Sequence, residues 1–345
     1  MHQKVNDIRE LAKLLNLSPT TVSRVLNGKS ERYRISSDTT RRVRQVAKDY
    51  NYTPSKIARG LKMDRTDTLG LIIPDISNPF FADIAQSIEK EARSKGYSLI
   101  LCDSGDDWND ERELIGLLRS HKVDGMVIAP MGTKFEHIIQ AYNSGVAMVI
   151  IDRCFPGINV PSITSDNYQG GYDAVSYLIK MGHRKIICIQ GTPGSLPNME
   201  RLRGYKDACL ANNINVDQGL IVGDNFSMEN GYRQTRIMFS MENTPTAIFA
   251  FSNLISLGVI KAVNEMGMKI PDDISLISFD EQPYSGYLGT PMTTVNQKKS
   301  EMGQLAIDVL LKYISDKEYR NKTVNIKLKT DLIIRDSVKN LVEYH

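Results

Sequence analysis

This chain of 345 residues has little of several things, and each scarcity excludes a class of function. It has only four cysteines, Cys102, Cys154, Cys188 and Cys209, with no Cys-x-x-Cys pair and no histidine at metal-ligand spacing. A disulfide framework and a zinc ribbon are thereby excluded, and the thiols are expected to pack as small buried hydrophobes. The five histidines, His2, His121, His137, His183 and His345, are scattered outside any zinc or nucleophile motif, and His183, just before an apolar run, reads as structural. No stretch of about 18 uncharged apolar residues occurs, so no membrane span is expected. The polar, charged first ten residues lack the apolar core of a secretory signal, which leads to an expectation of the cytoplasm. Glycine-rich phosphate loops are missing too. Gly28-Lys29-Ser30 imitates the end of one, but Ser23 stands where the loop requires glycine. Gly191-Thr192-Pro193-Gly194-Ser195 has no third glycine and reads as a cleft loop. No motif for catalysis, cofactor or metal remains.

The net charge of +3 conceals an asymmetry. Residues 1–65 hold fifteen Lys or Arg against six Asp or Glu, while the remainder holds 28 against 34. A small basic head on a larger, mildly acidic body is the distribution expected when one domain meets a polyanion and the other does something else.

In the head, Asp7 is placed to cap a helix whose apolar positions Ile8, Leu11, Ala12 and Leu15 recur at helical spacing. Asn16 tolerates the left-handed turn that follows. Ser18 then caps a second helix with Pro19 at its first position, where the missing N–H does no harm. Ala12 is small where the two helices cross, and Leu17, Val22 and Val25 fill the wedge, so the pattern predicts a helix-turn-helix. The outer face of the second helix carries Thr20, Thr21, Ser23, Arg24 and Asn27, side chains suited to base edges and phosphates. A third helix after Ser36 and Ser37 turns Val43, Val46 and Ala47 inward and Arg41, Arg42, Arg44 and Lys48 outward. Residues 53–62 bracket about two helical turns between Pro54 and Gly60, too little to be stable alone.

Ser18-Pro-Thr-Thr-Val-Ser-Arg-Val-Leu-Asn-Gly28, then Tyr52-x-Pro-Ser-x-Ile-Ala-Arg-Gly-Leu61, then Thr68-Leu-Gly-Leu-Ile-Ile-Pro-Asp-Ile-Ser-Asn-Pro-Phe-Phe81 closely resemble the LacI/GalR family of bacterial transcription regulators. The likeness is colinear over nearly the whole chain. It implies that the second helix enters the major groove with Pro19, Thr20, Thr21, Ser23, Arg24 and Asn27 at the DNA. It also implies a minor-groove hinge helix bearing Lys56, Ala58, Arg59 and Leu61, with Leu61 as the wedge that kinks the duplex. The chain departs from the family at Lys29-Ser-Glu-Arg-Tyr-Arg-Ile35, a longer turn that adds Arg32 and Arg34.

Beyond Leu69, apolar runs of five or six residues alternate with amphipathic helices: Leu69 to Pro74, Ser98 to Cys102, Gly125 to Ala129, Val146 to Ile151, Ile186 to Gln190, Ala247 to Phe251 and Ser275 to Phe279. Such alternation predicts parallel strands. The expected fold is therefore a small all-α helix-turn-helix head plus an α/β body of two doubly wound parallel-sheet subdomains, like the type I periplasmic binding proteins. The boundaries expected are 1–52 for the DNA-binding domain, 53–67 for hinge and linker, and 68–345 for effector binding and dimerisation. Within the last, one subdomain takes about 68–164 plus 296–326 and the other about 165–295 plus 327–340.

Ligands bind beyond the carboxyl ends of such strands, where this chain places Asn78, Phe80 and Phe81, then Asp152 and Arg153, then Asp280. Carboxylates, an amide, a guanidinium and aromatic plates suit a small polyhydroxylated ligand. The resemblance adds Arg201 and Gln297 to this pocket. Where the family has Asn-Asp, this chain has Ser252-Asn253, which implies a wider pocket there or a more anionic ligand. The expected function is a homodimeric regulator, most simply a repressor, that reads a pseudo-palindromic double-stranded operator under allosteric control by a small effector, a sugar first. A nucleobase, a sugar phosphate or a protein co-regulator is the second choice. A sugar carrier of the periplasmic type would fit the body but not the basic head. The short tail after Asp336 holds too few heptads for a tetramerising coil.

Overall fold

A computed structural model of the chain describes residues 5, 7–52, 65–155, 157–240, 244–316 and 318–342. It divides into two compact units, Met1–Asp67 and Thr68–His345.

The first unit packs three helices, α1 (Ile8–Leu15), α2 (Pro19–Leu26) and α3 (Ser37–Asp49). Each begins at a side-chain cap. Asp7 accepts from the Arg9 N–H at 3.1 Å, Ser18 Oγ from the Thr21 N–H at 3.1 Å, and Ser36 Oγ from the Thr39 N–H at 3.2 Å. These bonds satisfy amides that the helix cannot. Asn16 ends α1 in the left-handed region, at φ 52°. Leu11, Ala12, Leu15, Val22, Val25, Val43 and Ala47 bury themselves between the helices, with Leu17 and Val46 packed at the margin.

The second unit is two six-stranded sheets, and its described strands and helices run β1 (Thr68–Ile73), α4 (Pro79–Ser94), β2 (Ser98–Asp103), α5 (Trp108–Ser120), β3 (Gly125–Ile128), α6 (Glu136–Asn143), β4 (Met148–Ile151), β5 (Ser162–Ser165), α7 (Asn167–Lys180), β6 (Ile186–Ile189), α8 (Leu196–Ala211), β7 (Ile221–Val222), α9 (Met228–Met238), β8 (Ala247–Ala250), α10 (Asn253–Glu265), β9 (Ser275–Phe279), β10 (Thr293–Asn296), α11 (Lys299–Ser315), β11 (Asn325–Leu328) and β12 (Asp331–Ile333). The sheet orders are β11-β5-β4-β3-β1-β2 and β12-β10-β9-β8-β6-β7. Only the β10–β12 pair is antiparallel among the described strands. The central strands are apolar along their whole length because helices cover both faces.

The chain passes between the sheets three times, after Ser165, after Asn296 and after Leu328. The last passage lies beyond the expected division at 326, because Ile326 and Leu328 still belong to a strand paired with β5. The second passage follows directly on strand β10, whose Thr293, Thr294 and Val295 are buried. Cys188 and Cys209 are buried as expected, whereas Cys102 and Cys154 are half-buried, and all four are free thiols. His183 is structural: its ring nitrogens meet Thr246 Oγ1 at 2.9 Å and the Lys339 carbonyl at 3.1 Å. No described helix is long and apolar enough to cross a membrane.

Helices α7 and α8 meet backbone to backbone through two glycines. A Cβ on Gly204 would lie 2.4 Å from the Tyr168 carbonyl oxygen, and one on Gly171 would lie 2.7 Å from that of Arg201. Backbone cannot yield as a side chain can, so Gly204→Ala is expected to destabilise the protein by about 1–3 kcal/mol through overpacking. Urea unfolding measures this, and an unchanged midpoint would contradict the close contact.

Candidate DNA-reading helix and effector cleft

On α2 the buried positions Val22 and Val25 define one face, and Thr20, Ser23, Arg24 and Asn27 project from the other. Pro19 and Thr20 are exposed at its start. Thr21 is tied into the cap, its hydroxyl 2.8 Å from Ser18 Oγ. Asn27 turns its amide back along the helix and donates to the Ser23 carbonyl at 2.7 Å. The hinge positions Lys56, Ala58, Arg59 and Leu61 lie outside the described residues.

In the second unit, the ends of β4 and β9 are built alike. Each strand delivers an aspartate in the left-handed backbone region, Asp152 at φ 61° and Asp280 at φ 74°. Such a conformation costs energy for any residue but glycine, and it bends the chain so that a polar side chain follows directly on a buried strand. Both aspartates are buried. Gln297 Nε2 donates to Asp280 Oδ1 at 2.5 Å.

Arg201 is 3% exposed and is brought to the same place by α8. Its Nε donates to Asn167 Oδ1 at 2.8 Å, its Nη1 donates to the Phe251 carbonyl, and its guanidinium lies 3.7 Å above the Phe279 ring. Burial pulls its pKa down, with Asp280 and Asp152 acting in the opposite direction. Arg153, on the other sheet, donates through Nη1 to the Met131 carbonyl at 2.6 Å and to the Pro130 carbonyl and Asp106 at 3.2 Å each. Its Nε lies 3.7 Å from Asp152 Oδ2.

The loop that holds Arg153 is itself anchored. Fully buried Glu111 accepts the Met131 N–H at 2.7 Å and lies 2.6 Å from His137 Nε2. Trp108 Nε1, which can only donate, meets His137 Nδ1 at 3.1 Å. The Nδ1 atom therefore accepts and the His137 proton sits on Nε2, facing the carboxylate.

Phe80 and Phe81 both pack into the first sheet's core with their rings 5.1 Å apart, and of the two it is Phe81 whose ring lies near Arg153, 5.9 Å from Cζ. Sequence reading missed Phe226, whose ring approaches Arg153 at 5.8 Å from the second sheet's side. Its signal was Gly191, where a Cβ would strike that ring at 2.1 Å. Asn78 and Ser252 both cap helices, Asn78 Oδ1 accepting from the Phe80 N–H at 3.1 Å and Ser252 Oγ from the Ile255 N–H at 3.3 Å. Asn78 Oδ1 also accepts from Asn253 Nδ2 at 3.2 Å, across the two sheets. Asn167 was the other residue missed, since nothing local marks an asparagine whose partner is far along the chain.

Several buried polar atoms here have no hydrogen-bond partner among the described residues: Asp152 Oδ1, Gln297 Oε1 and Ser165 Oγ. Buried polar groups are ordinarily paired, so such a set marks a place where a ligand or water completes the bonding. A cavity of about 300 Å³ lies apart from this constellation, lined by Cys154, Phe155, Thr164, Leu196 and Lys327 among others. It contains none of the paired charges just described.

Burial pushes the Asp152 carboxyl up to about 6, against the pull of Arg153 and Arg201 and with help from Asp280. A carboxyl whose folded pKa exceeds its unfolded value favours folding below the unfolded pKa, and that contribution is lost as pH rises from about 4 through 6. Asp152→Asn is therefore expected to stabilise the ligand-free protein above pH 7 by on the order of 1–3 kcal/mol, with the gain shrinking towards pH 4.5. Urea midpoints at both pH values test this, and a pH-independent difference would contradict it.

Comparison with known proteins gives this arrangement its context. Residues 66–336 match the family described as periplasmic binding proteins and sugar binding domain of LacI family, and residues 7–55 match bacterial regulatory proteins, lacI family. The HTH-type transcriptional repressor PurR of Vibrio atlanticus (strain LGP32) is 31% identical over 336 residues, covering 97% of this chain and 99% of its own. The structure of a LacI family transcriptional regulator from Enterococcus faecium with bound ribose aligns at a TM-score of 0.71 and 26% identity, covering 80% of this chain and 100% of that one. The lac repressor dimer bound to operator and the anti-inducer ONPF aligns at 0.85 over 98% of this chain and 100% of that one, and at 22% identity it supports the fold alone. With its head, its paired sheets and its buried polar cleft accounted for, the chain belongs to the LacI family: it is a DNA-binding transcriptional repressor with an effector-binding domain, and not an enzyme.

Proposed function

We propose that the effector is a small neutral sugar, held between the two sheets by Asp152, Arg153, Arg201, Asp280 and Gln297, and that its binding changes the operator affinity of a cytoplasmic homodimer. The observation that carries this reading is the pair of buried acceptors without partners among the described residues, Asp152 Oδ1 and Gln297 Oε1. Acceptors call for a ligand rich in donors, and a ring of hydroxyls supplies them. Phe81 and Phe226 offer apolar faces to the C–H side of such a ring. The ribose carried by the Enterococcus faecium relative supports the same class. A flat heterocycle is the second reading, favoured by those same two aromatic rings.

Thermal unfolding against a panel of pentoses, hexoses, their phosphates and nucleobases tests the proposal, since a ligand of the native state raises the midpoint with its occupancy. A shift with a neutral sugar is expected, lost in Asp280→Ala and in Gln297→Ala. Shifts confined to phosphates or heterocycles would overturn the sugar reading in favour of the second. For the hinge, Leu61→Ala is expected to weaken operator binding by roughly tenfold or more, as loss of a wedge contact of ~1.4 kcal/mol does, while leaving effector-induced stabilisation intact. Equal operator affinity in a titration would remove the wedge role.

A further inference from the structure

The turn between α2 and α3 is longer in this chain than in the family it resembles, and the added residues are not slack. The Lys29 N–H donates to the Arg24 carbonyl at 2.9 Å, the Tyr33 N–H to Lys29 at 3.3 Å, the Arg34 N–H to Glu31 at 3.1 Å and the Ile35 N–H to Ser30 at 2.9 Å. Ile35 then packs against the helical core, which fixes the far end of the turn. This ladder folds the turn back so that the Arg24 side chain of α2 lies over the Tyr33 ring, with Cζ 3.8 Å from the ring centroid. Arg32 lies over the same ring at 5.8 Å. Tyr33 keeps 41% of its surface exposed, and Arg24 is half-buried.

The chemistry of this stack is specific. Arginine is long and rotamer-rich, yet its planar fork recognises the two acceptors of a guanine edge only in a defined plane. An aromatic face attracts the guanidinium and holds it parallel to the ring. Among the described residues no carboxylate pairs with Arg24, so the ring orients the cation without neutralising it. We propose that Tyr33 is a positioning residue for DNA specificity, which holds the Arg24 guanidinium in the plane needed to read a guanine. The inference rests on the reading of α2 as the base-reading helix.

The test uses the full-length protein and selection of binding sites from a random duplex library, followed by titration on the selected site and its single-base variants. Arg24→Ala is expected to lose its preference at one base position by about tenfold or more. Tyr33→Ala is expected to lose preference at that same position by roughly two- to fivefold, with nonspecific affinity and salt dependence unchanged. Tyr33→Phe, which keeps the ring, is expected to read as wild type, and Tyr33→Leu, which keeps only apolar cover, as Tyr33→Ala. The proposal falls if Tyr33→Ala discriminates like wild type while Arg24→Ala does not, or if Tyr33→Ala weakens all duplexes alike. If Arg24→Ala itself keeps full preference, the base-reading role of Arg24 fails and this proposal with it. Because Tyr33 lies on the surface, an unchanged unfolding midpoint separates these effects from misfolding.

Discussion

A guanidinium taken out of water must be compensated by acceptors and by opposite charge, and several elements of the second unit meet that demand at Arg201. The requirement reaches far along the chain. Asn167 at the start of α7 and the Phe251 carbonyl at the end of β8 receive its donors, and the Phe279 ring of β9 lies against its face. Three neighbouring elements of the second sheet are thus referred to one cation. The glycines at 171 and 204 follow from it, because α8 must lie against the backbone of α7 for so short a reach. Asp152 and Asp280 answer the same charge electrostatically, one from each sheet.

That last point connects structure to switching. Asp152 belongs to the first sheet and Asp280 to the second, and the sheets are also tied by Asn253 to Asn78 and by Lys299, which donates to the Glu281 carbonyl at 2.9 Å. The chain crosses between them only in short passages, so relative motion of the sheets is carried by few residues. A ligand that satisfies the unpaired acceptors on both sides favours the closed arrangement over any in which they are parted. Such a difference in affinity is the only currency in which an effector can bias DNA binding, and it must act in both directions.

The sequence made some of this legible because some of it is local. Asp7, Asn16, Ser18 and Ser36 act on neighbours within three or four residues, so caps and turn could be read directly. The central strands announced themselves by unbroken apolar runs. Strands β5 (Ser162–Ser165), β10 (Thr293–Asn296) and β11 (Asn325–Leu328) did not, since Ser-Ile-Thr-Ser, Thr-Thr-Val-Asn and Asn-Ile-Lys-Leu resemble polar loop until their partners are known. Asp152, Arg153, Asp280, Arg201 and Gln297 are expected at the cleft from strand ends and resemblance. Phe226 and Asn167 are not, because each owes its place to a residue tens of positions away. Glu111 was hidden for the same reason: an acidic residue in a helical first turn looks solvated until His137 and the Met131 amide are seen against it.

The charge balance of the cleft bears on what it can hold. Two arginines would welcome an anion if they stood alone, but Arg153 already donates to two carbonyls and to Asp106, and Arg201 to Asn167 and Phe251. Two buried aspartates stand beside them, and burial has pushed one of these up towards its neutral form. An incoming phosphate would have to face both carboxyls in surroundings that screen poorly, where like charges repel strongly. A neutral ligand meets no such opposition, and a donor on it would complete Asp152 Oδ1, the carboxylate oxygen left without a partner among the described residues. The replacement of the family's Asn-Asp by Ser252-Asn253 takes one carboxylate away, yet Asp106, Asp152 and Asp280 still stand against Arg153 and Arg201. With the arginines already engaged and the aspartates close by, net charge gives an anion little purchase in this cleft, and the unmet acceptors are what a ligand has to match.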